Sequence, residues 1–170
     1  MIIDLTDIEG STTPFSFSLR ASEIDFGLEN VEIAGEIIVN GELTQHIAET
    51  DVNGKIEADA KIDCIRCLKA VDKHLTFDFD VVYVTPENFA ADSEREVEPE
   101  DLKTDVFEGD KIDMNEVVRE QILLNVPEQV LCSEDCKGLC PQCGADRNLI
   151  DCKCDETEID PRWSALKNLK

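Results

Sequence analysis

The sequence predicts an α+β fold, in which an antiparallel β-sheet is joined to an amphipathic helix and a cysteine-rich element. Three observations support this prediction. Apolar and polar residues alternate with period two through most of residues 15–83, which is the spacing of half-buried strands. An apolar stripe with helical spacing follows near residues 113–126. Six of the eight cysteines then lie within residues 132–154, so this segment has a different organisation from the rest.

The clearest strand covers residues 55–63. Its apolar side chains occupy alternate positions: Ile56, Ala58, Ala60 and Ile62. A second strand is predicted at 75–83, and the dipeptide Asn40-Gly41 predicts a hairpin turn. Cys64 and Cys67 fall between the two strands, so we expect this cysteine pair at one end of the sheet, where the chain turns.

An acidic segment separates these strands from the helix. Residues 87–110 contain ten acidic and two basic residues, which is typical of a solvated loop. We therefore predict a β-rich part with the first cysteine pair at 1–86, an acidic loop or linker at 87–111, and a helical and cysteine-rich part at 112–170.

Two helices are predicted in the last part. Residues 113–116 resemble a capping box, and Pro127 should end the first helix. Its expected apolar stripe is Val117, Val118, Ile122 and Leu124. A second, C-terminal helix should start at Asp160-Pro161, with Trp163, Leu166 and Leu169 on one side.

The redox environment of the chain decides how the cysteines are interpreted. The first ten residues have no basic region followed by an apolar run, and no segment has the roughly 20 apolar residues of a membrane helix. We expect a soluble, cytoplasmic protein without a membrane partner. In a reducing compartment, clustered cysteines more often bind metal than form structural disulfides.

Two C-x-x-C pairs give the strongest chemical signal. Cys64 and Cys67 form one, and Cys140 and Cys143, followed by Gly144, form the other. Two intervening residues allow both thiolates to reach one ion. The first hypothesis is that these four cysteines hold one zinc ion in a zinc-ribbon-like element.

The other four cysteines leave two pairings open. In the first, a second metal is held by Cys132, Cys136, Cys152 and Cys154. In the alternative, Cys140, Cys143, Cys152 and Cys154 share one ion, and the first pair joins Cys132 and Cys136. Sequence spacing does not separate them. A thiol–disulfide redox role and an iron–sulfur cluster are further alternatives.

The metal is expected to be structural, because four thiolates saturate a tetrahedral ion and leave no position for a substrate. Phosphate-binding loops, nucleophile elbows and helical metal-hydrolase motifs are absent from the sequence. We therefore expect a non-enzymatic protein with no catalytic residues.

Charge favours a protein partner over a nucleic acid. Sixteen Lys and Arg oppose thirty-nine Asp and Glu, a formal charge of −23, which repels phosphate at long range and attracts basic proteins. The exception is a local set of basic residues near the cysteines. These candidate RNA contacts are Arg66, Lys69, Arg147 and Lys153.

These cysteine segments resemble a known family. Residues 64–68, with 132–144 and Asn148, are similar to the YceD-like family, called large ribosomal RNA subunit accumulation protein. The resemblance implies a role in bacterial ribosome biogenesis, through synthesis, processing or accumulation of large-subunit ribosomal RNA. Together with the charge, it suggests a basic ribosomal protein or a ribosome-assembly factor as partner. The family's metal ligands would fall on Cys64, Cys67, Cys140 and Cys143.

Overall fold

The computed structural model describes residues 1–5, 12–47, 49–86, 89, 103–106, 111–154 and 162. The strands are β1 (Ile2–Asp4), β2 (Thr12–Arg20), β3 (Val31–Gln45), β4 (Glu49–Asp63), β5 (Ala70–Val84), β6 (Thr104–Val106) and β7 (Lys111–Asp113). Helix α1 spans Met114–Asn125, and a short 3-10 helix spans Ala21–Glu23.

The chain divides into two compact units. Unit 1 comprises Met1–Ile62 and Asp72–Glu128, and unit 2 comprises Asp63–Val71 and Gln129–Lys170. The first cysteine pair therefore belongs with the cysteine-rich segment, whereas the bounds predicted from sequence placed it in the β-rich part. The connection between β4 and β5 supplies this part of unit 2.

Unit 1 is built on a five-stranded sheet with the order β2-β3-β4-β5-β6. Strand β3 runs antiparallel to both β2 and β4. Strand β6 lies inside the predicted acidic linker and pairs in parallel with the end of β5, from Val82 to Val84. Strands β1 and β7 form a separate antiparallel pair. The predicted α+β class with an antiparallel sheet is confirmed, with one parallel edge.

One face of the sheet is buried, as the period-two pattern predicted. In β4, Ile56 is fully buried and Ala58, Ala60 and Ile62 are at most 4% exposed. In β5, the buried side chains are Leu75, Phe79, Val81 and Tyr83. Because alternate residues of a strand point to opposite faces, their charged neighbours lie on the solvated face.

The hairpin predicted at Asn40-Gly41 is wrong. These residues lie in the middle of β3, and Gly41 pairs with Gly54 of β4. A Cβ on Gly41 would overlap the carbonyl oxygen of Asn53 and the ring of Phe15. Glycine is used here to let two backbones and an aromatic ring approach closely, which is one of its roles within strands.

Helix α1 begins and ends as predicted. The side chain of its N-cap, Asp113, accepts a hydrogen bond from the backbone N–H of Asn115 at 2.9 Å. The buried residues are Met114, Val117, Val118 and Ile122. Leu124 is 77% exposed, contrary to the predicted stripe, because successive residues turn by roughly 100° and carry it past the edge of that face. The predicted C-terminal helix lies outside the described residues.

Candidate metal centre

Four thiols of unit 2 form a compact cluster, here called the inner site: Cys64, Cys67, Cys132 and Cys136. All four sulfur atoms lie within 4.8 Å of one another. The Sγ atoms of Cys64 and Cys136 are 3.8 Å apart, and those of Cys67 and Cys132 are 3.5 Å apart. A disulfide would require about 2.05 Å, so these are free thiols.

These separations suit a tetrahedral metal. With Zn–S bonds of about 2.3 Å, the edge of a four-thiolate tetrahedron is about 3.8 Å. The surroundings are dry, because Cys64, Cys67 and Cys136 are buried and pack against Val71, Leu131 and Leu139. Two of the six sulfur–sulfur distances, 3.8 and 3.5 Å, match this edge closely and none exceeds 4.8 Å, so the arrangement of the four thiols fits a zinc ion.

The other four thiols form a second cluster, here called the outer site: Cys140, Cys143, Cys152 and Cys154. Its sulfur atoms also lie within 4.8 Å of one another. Cys140 is buried, Cys152 is partly buried, and Cys143 and Cys154 are exposed. The outer site has the same ligand set as the inner site but is much more open to solvent.

The backbone explains why each C-x-x-C pair converges. In the inner site, the N–H of Cys64 donates to the carbonyl oxygen of Lys69 at 2.9 Å, and the N–H of Leu68 donates to that of Cys64 at 2.9 Å. Residues 140–145 repeat both hydrogen bonds at equivalent positions, at 2.8 and 2.9 Å. Leu68 and Gly144 both have positive φ, 59° and 72°. Residues 64–69 and 140–145 thus form the same type of turn, here called a knuckle. In the first knuckle, leucine takes the position that glycine has in the second.

Electrostatics prepare one thiol in each knuckle for ligation. Burial opposes ionisation of Cys64, but backbone N–H groups, including that of Arg66, lower its pKa to about 6. The N–H groups of Cys143 and Gln142 likewise lower the pKa of Cys140 to about 6. Hydrogen bonds to the charged form favour thiolate, which is the form that binds metal.

The pKa of a second thiol in each site is shifted in the opposite direction. A backbone hydrogen bond from Lys69 favours the thiolate of Cys67, yet burial and the surrounding thiols raise its pKa to about 12. Neighbouring thiols, first Cys143 and then Cys140, also raise the pKa of Cys154 to about 12. Several thiolates crowded together repel one another, and a divalent cation relieves this repulsion.

The structure groups the cysteines by the second of the two sequence pairings. It does not bring Cys140 and Cys143 to the first pair, and it separates Cys132 and Cys136 from Cys152 and Cys154. The first hypothesis is corrected accordingly. The reason is local: Cys140 closes a knuckle with residues just downstream of it, while Cys136, four positions earlier, lies against Cys64.

All four candidate RNA contacts lie in unit 2 and are exposed: Arg66, Lys69, Arg147 and Lys153. Arg66 also has a structural contact, because its Nη1 donates to the carbonyl oxygen of Cys136 at 2.8 Å. The backbone carbonyl of the same arginine accepts the N–H of Leu139 at 2.9 Å. Arg66 therefore joins the first knuckle to the downstream cysteine segment.

Asn148 contacts the inner site, and the sequence alone did not reveal this contact. Its Nδ2 donates to Sγ of Cys136 at 3.4 Å, and this contact lowers the pKa of that thiol. The sequence indicated only that Asn148 belongs to the motif shared with the family. The motif does not indicate which sulfur atom Asn148 contacts. Such hydrogen bonds to metal ligands orient the ligand and tune its basicity.

Residues 52–170 match the family model of large ribosomal RNA subunit accumulation protein YceD. The chain belongs to this family. The match contains the whole of unit 2, both knuckles included, all but the first three residues of β4, and strand β5. The family is named for accumulation of large-subunit ribosomal RNA.

The chain is also similar to named relatives. It is 34% identical over 115 residues to an uncharacterized protein, YlbN, of Bacillus subtilis, covering 67% of this chain and 62% of the relative. It is 27% identical over 145 residues to an uncharacterized protein of Mycobacterium leprae, covering 84% of this chain and 64% of that protein. The chain thus spans less than two thirds of these relatives.

A relative with a descriptive name matches a shorter region. It is the chloroplastic large ribosomal RNA subunit accumulation protein YCED homolog 1 of Arabidopsis thaliana, 33% identical over 60 residues, which are 35% of this chain and 19% of that protein. No solved structure matches the chain. None of the described helices is both long and apolar enough to cross a membrane.

Proposed function

We propose that this protein is a cytoplasmic, non-enzymatic zinc-binding factor that supports accumulation of large-subunit ribosomal RNA through contacts with a basic protein. Its membership of the YceD family over residues 52–170 is the observation that carries the ribosomal role. The partner is a basic ribosomal protein or an assembly factor that it holds before assembly.

Zinc is the metal that best suits the two ligand sets. Each site offers four cysteine sulfur atoms within 4.8 Å of one another, and zinc is commonly bound by four cysteines at structural sites. Four protein ligands leave no position for water or substrate, which supports a structural role. A bound ion would crosslink segments of unit 2 that are far apart in the sequence. The backbone of unit 2 positions the four thiols that would hold it.

The charge distribution supports a basic protein partner for unit 1. This unit has eight Lys and Arg against thirty Asp and Glu, a net charge of −22. Unit 2 has eight basic and nine acidic residues, a net charge of −1. Nearly all the attraction for a basic partner therefore comes from unit 1, and it should weaken as salt screens the charges.

The test of the ribosomal role is depletion of the protein in its native host. We expect the ratio of large-subunit to small-subunit ribosomal RNA to fall, with recovery by the wild-type gene. Failure of the ratio to change would contradict the proposal. Metal analysis of anaerobically purified protein should give two zinc ions per chain. An iron–sulfur chromophore, or metal-free thiols that alkylate rapidly, would instead favour the cluster or the redox alternative.

The partner is tested by affinity capture at low and high salt. A variant with Asp72, Asp78 and Asp80 changed to Asn removes three negative charges from β5, and Lys61→Ala on β4 is the control of opposite sign. We expect a basic ribosomal protein at low salt, less of it with the Asn variant, and no less with Lys61→Ala. Equal capture by all three proteins would argue against charge-directed binding.

Direct RNA binding by unit 2 is the second candidate. The difference in net charge between the two units favours it, because half of the Lys and Arg residues of the chain lie in this smaller unit. Lys69→Ala with Lys153→Ala should then reduce retention of large-subunit RNA fragments in low-salt filter binding. Absence of retention for the wild-type protein at low salt would exclude this candidate.

A further inference from the structure

Asn148 belongs to the loop of the outer site, between Cys143 and Cys152, yet its side chain contacts the inner site. Its Nδ2 donates to Sγ of Cys136 at 3.4 Å. Its Oδ1 accepts the backbone N–H of Lys137 at 2.8 Å. One amide group thus contacts both an inner ligand and the residue that follows this ligand.

The same loop holds the amide in this orientation. A carboxylate oxygen of Asp146 accepts the backbone N–H of Asn148 at 2.9 Å and its Nδ2 at 2.7 Å. The two hydrogens of the amide nitrogen are therefore directed to Asp146 and to Cys136. Because the orientation depends on the loop, anything that orders the loop also orders the hydrogen bond to sulfur.

Backbone pairing joins this loop to the short segment between the two sites. Leu139 and Asp146 form an antiparallel bridge. The N–H of Arg147 donates to the carbonyl oxygen of Gly138 at 3.0 Å. Residues 137–139 connect Cys136 of the inner site to Cys140 of the outer site, so the loop folds against the link between them.

We propose that metal binding at the outer site strengthens metal binding at the inner site, with Asn148 as the positioning residue that joins them. The proposal rests on zinc binding at both sites. Metal at the outer site fixes both ends of the loop, at Cys143 and Cys152, and so reduces the conformational freedom of Asn148. An ordered N–H donor stabilises the thiolate of Cys136 as a ligand.

The sign of the coupling distinguishes this mechanism from simple electrostatics. A divalent ion with four thiolates has a net charge of −2, so two filled centres repel each other, and their charges do not favour joint occupancy unless more than two thiols of the empty site are ionised. Below that degree of ionisation, positive coupling therefore requires a structural link. Thermodynamic reciprocity also requires the inner ion to strengthen binding at the outer site by the same factor.

The experiment is a Co²⁺ titration of the full chain, followed by the absorption of tetrahedral thiolate-bound cobalt. Protection of Cys132 against alkylation, read by mass spectrometry, reports occupancy of the inner site. Cys152→Ser with Cys154→Ser removes the outer site. We expect the inner site to bind Co²⁺ at least about tenfold more weakly in that variant, the lower range for loss of a hydrogen bond to a metal ligand.

Asn148→Ala provides the second arm, and Leu149→Ala is its matched uncharged control on the same loop. Asn148→Ala should weaken the inner site by a similar factor, but should have little further effect when the outer site is already absent. Leu149→Ala, whose side chain is 82% exposed in the wild type, should bind Co²⁺ as the wild type does. Since both retain all eight cysteines, the cooperativity of stepwise Co²⁺ binding to them reports the coupling even if the double serine variant fails to fold in unit 2.

The outcomes are distinguishable. Equal inner-site affinity with and without Asn148, or coupling that is negative or absent in the wild type, overturns the proposal while leaving two-metal binding intact. Binding of fewer than two Co²⁺ per wild-type chain would instead contradict the zinc-binding function on which it rests. Positive coupling that Asn148→Ala abolishes supports both.

Discussion

The sulfur atoms of Cys64 and Cys136 are 3.8 Å apart although 72 positions separate these residues in the sequence. One belongs to the connection between β4 and β5, and the other to the segment that follows α1. The entropic cost of closing a loop rises only slowly with its length, so a loop of this size costs little more to close than a shorter one. A metal that binds both sulfurs can therefore supply much of the free energy that holds unit 2 together.

We predict that Cys136→Ser destabilises unit 2 far more than Cys154→Ser. Cys136 is buried with the inner ligands, whereas Cys154 is exposed. Loss of the inner metal should cost on the order of 5 kcal/mol of unfolding free energy, below the 10–16 kcal/mol of small zinc peptides because unit 2 keeps other contacts.

Amide hydrogen exchange with zinc present provides the measurement. Protection should fall across residues 129–140 in Cys136→Ser, while strand β3 stays protected. Equal loss of protection in the two serine variants would contradict the structural difference between the inner and outer sites.

The stability of metal-free unit 2 should rise with pH from about 6 to about 9. The folded pKa of Cys64 and Cys140 is about 6, against an ordinary value of 9.0. Between these values the unfolded state binds more protons, so raising the pH favours folding, and this stabilisation is lost as pH falls through 6.

Above pH 9 the sign reverses, because the pKa of Cys67 and Cys154 is raised to about 12. These thiols stabilise the folded state below their unfolded pKa, and that contribution is lost as pH rises toward 12. Hydrogen exchange of metal-free protein, corrected for intrinsic rates, should therefore show the greatest stability near pH 9. A stability that falls steadily from pH 6 to 9 would contradict these shifts.

The sequence predicted the sheet better than the metal sites, for a physical reason. Period two in β4 follows from burial of one face, so Ile56 and Ile62 could be assigned to the core from spacing alone. The Asn40-Gly41 prediction failed because it used a local turn preference where a cross-strand contact with Gly54 decides the structure. Local propensity cannot report which residue lies opposite.

The grouping of the cysteines into two sites could not be predicted from the sequence for a similar reason. A C-x-x-C spacing determines that two neighbouring thiols share an ion, but not which other pair completes the site. That depends on contacts such as the hydrogen bond from Leu139 to Arg66, made between segments far apart in sequence. The exposure of Leu124 shows the same limit, because a helix face is set by what it packs against.

Leu68→Gly should stabilise the metal-bound inner site by about 1 kcal/mol. Leu68 has a φ of 59°, a left-handed conformation that costs a non-glycine residue roughly 1–2 kcal/mol. Its side chain is 61% exposed, so little burial is lost. Part of the gain is offset by the greater freedom of glycine in the unfolded chain.

The matched control is the equivalent position of the outer knuckle. Gly144→Leu should weaken the outer site by a similar amount, since the φ there is 72° and nothing lies near the added Cβ. Competition with a chelator measures both affinities. A weaker inner site in Leu68→Gly would mean that the leucine side chain, not the backbone, supports this knuckle.

Gly54→Ala should destabilise unit 1 by about 2 kcal/mol or more. A Cβ at this position would overlap the carbonyl oxygen of Asn40 and lie 2.8 Å from Cα of Gly41, so backbone must move. Thermal unfolding should show a lower midpoint, whereas Lys61→Ala, an exposed substitution on the same strand, should change it little. Unchanged stability of Gly54→Ala would contradict the close β3–β4 approach.

The outer site should lose its metal before the inner site when a chelator or an oxidant is added. Cys143 and Cys154 are exposed, while Cys64, Cys67 and Cys136 are buried among apolar side chains. Chelators and peroxide must reach the thiolates, and access together with thiolate character governs their reactivity. Cobalt-loaded protein treated with a limiting chelator should lose absorption in two phases. Alkylated Cys143 and Cys154 should appear in the fast phase, and alkylated Cys132 only in the slow one. A single phase, with all these cysteines alkylated together, would mean that exposure does not separate the two sites kinetically.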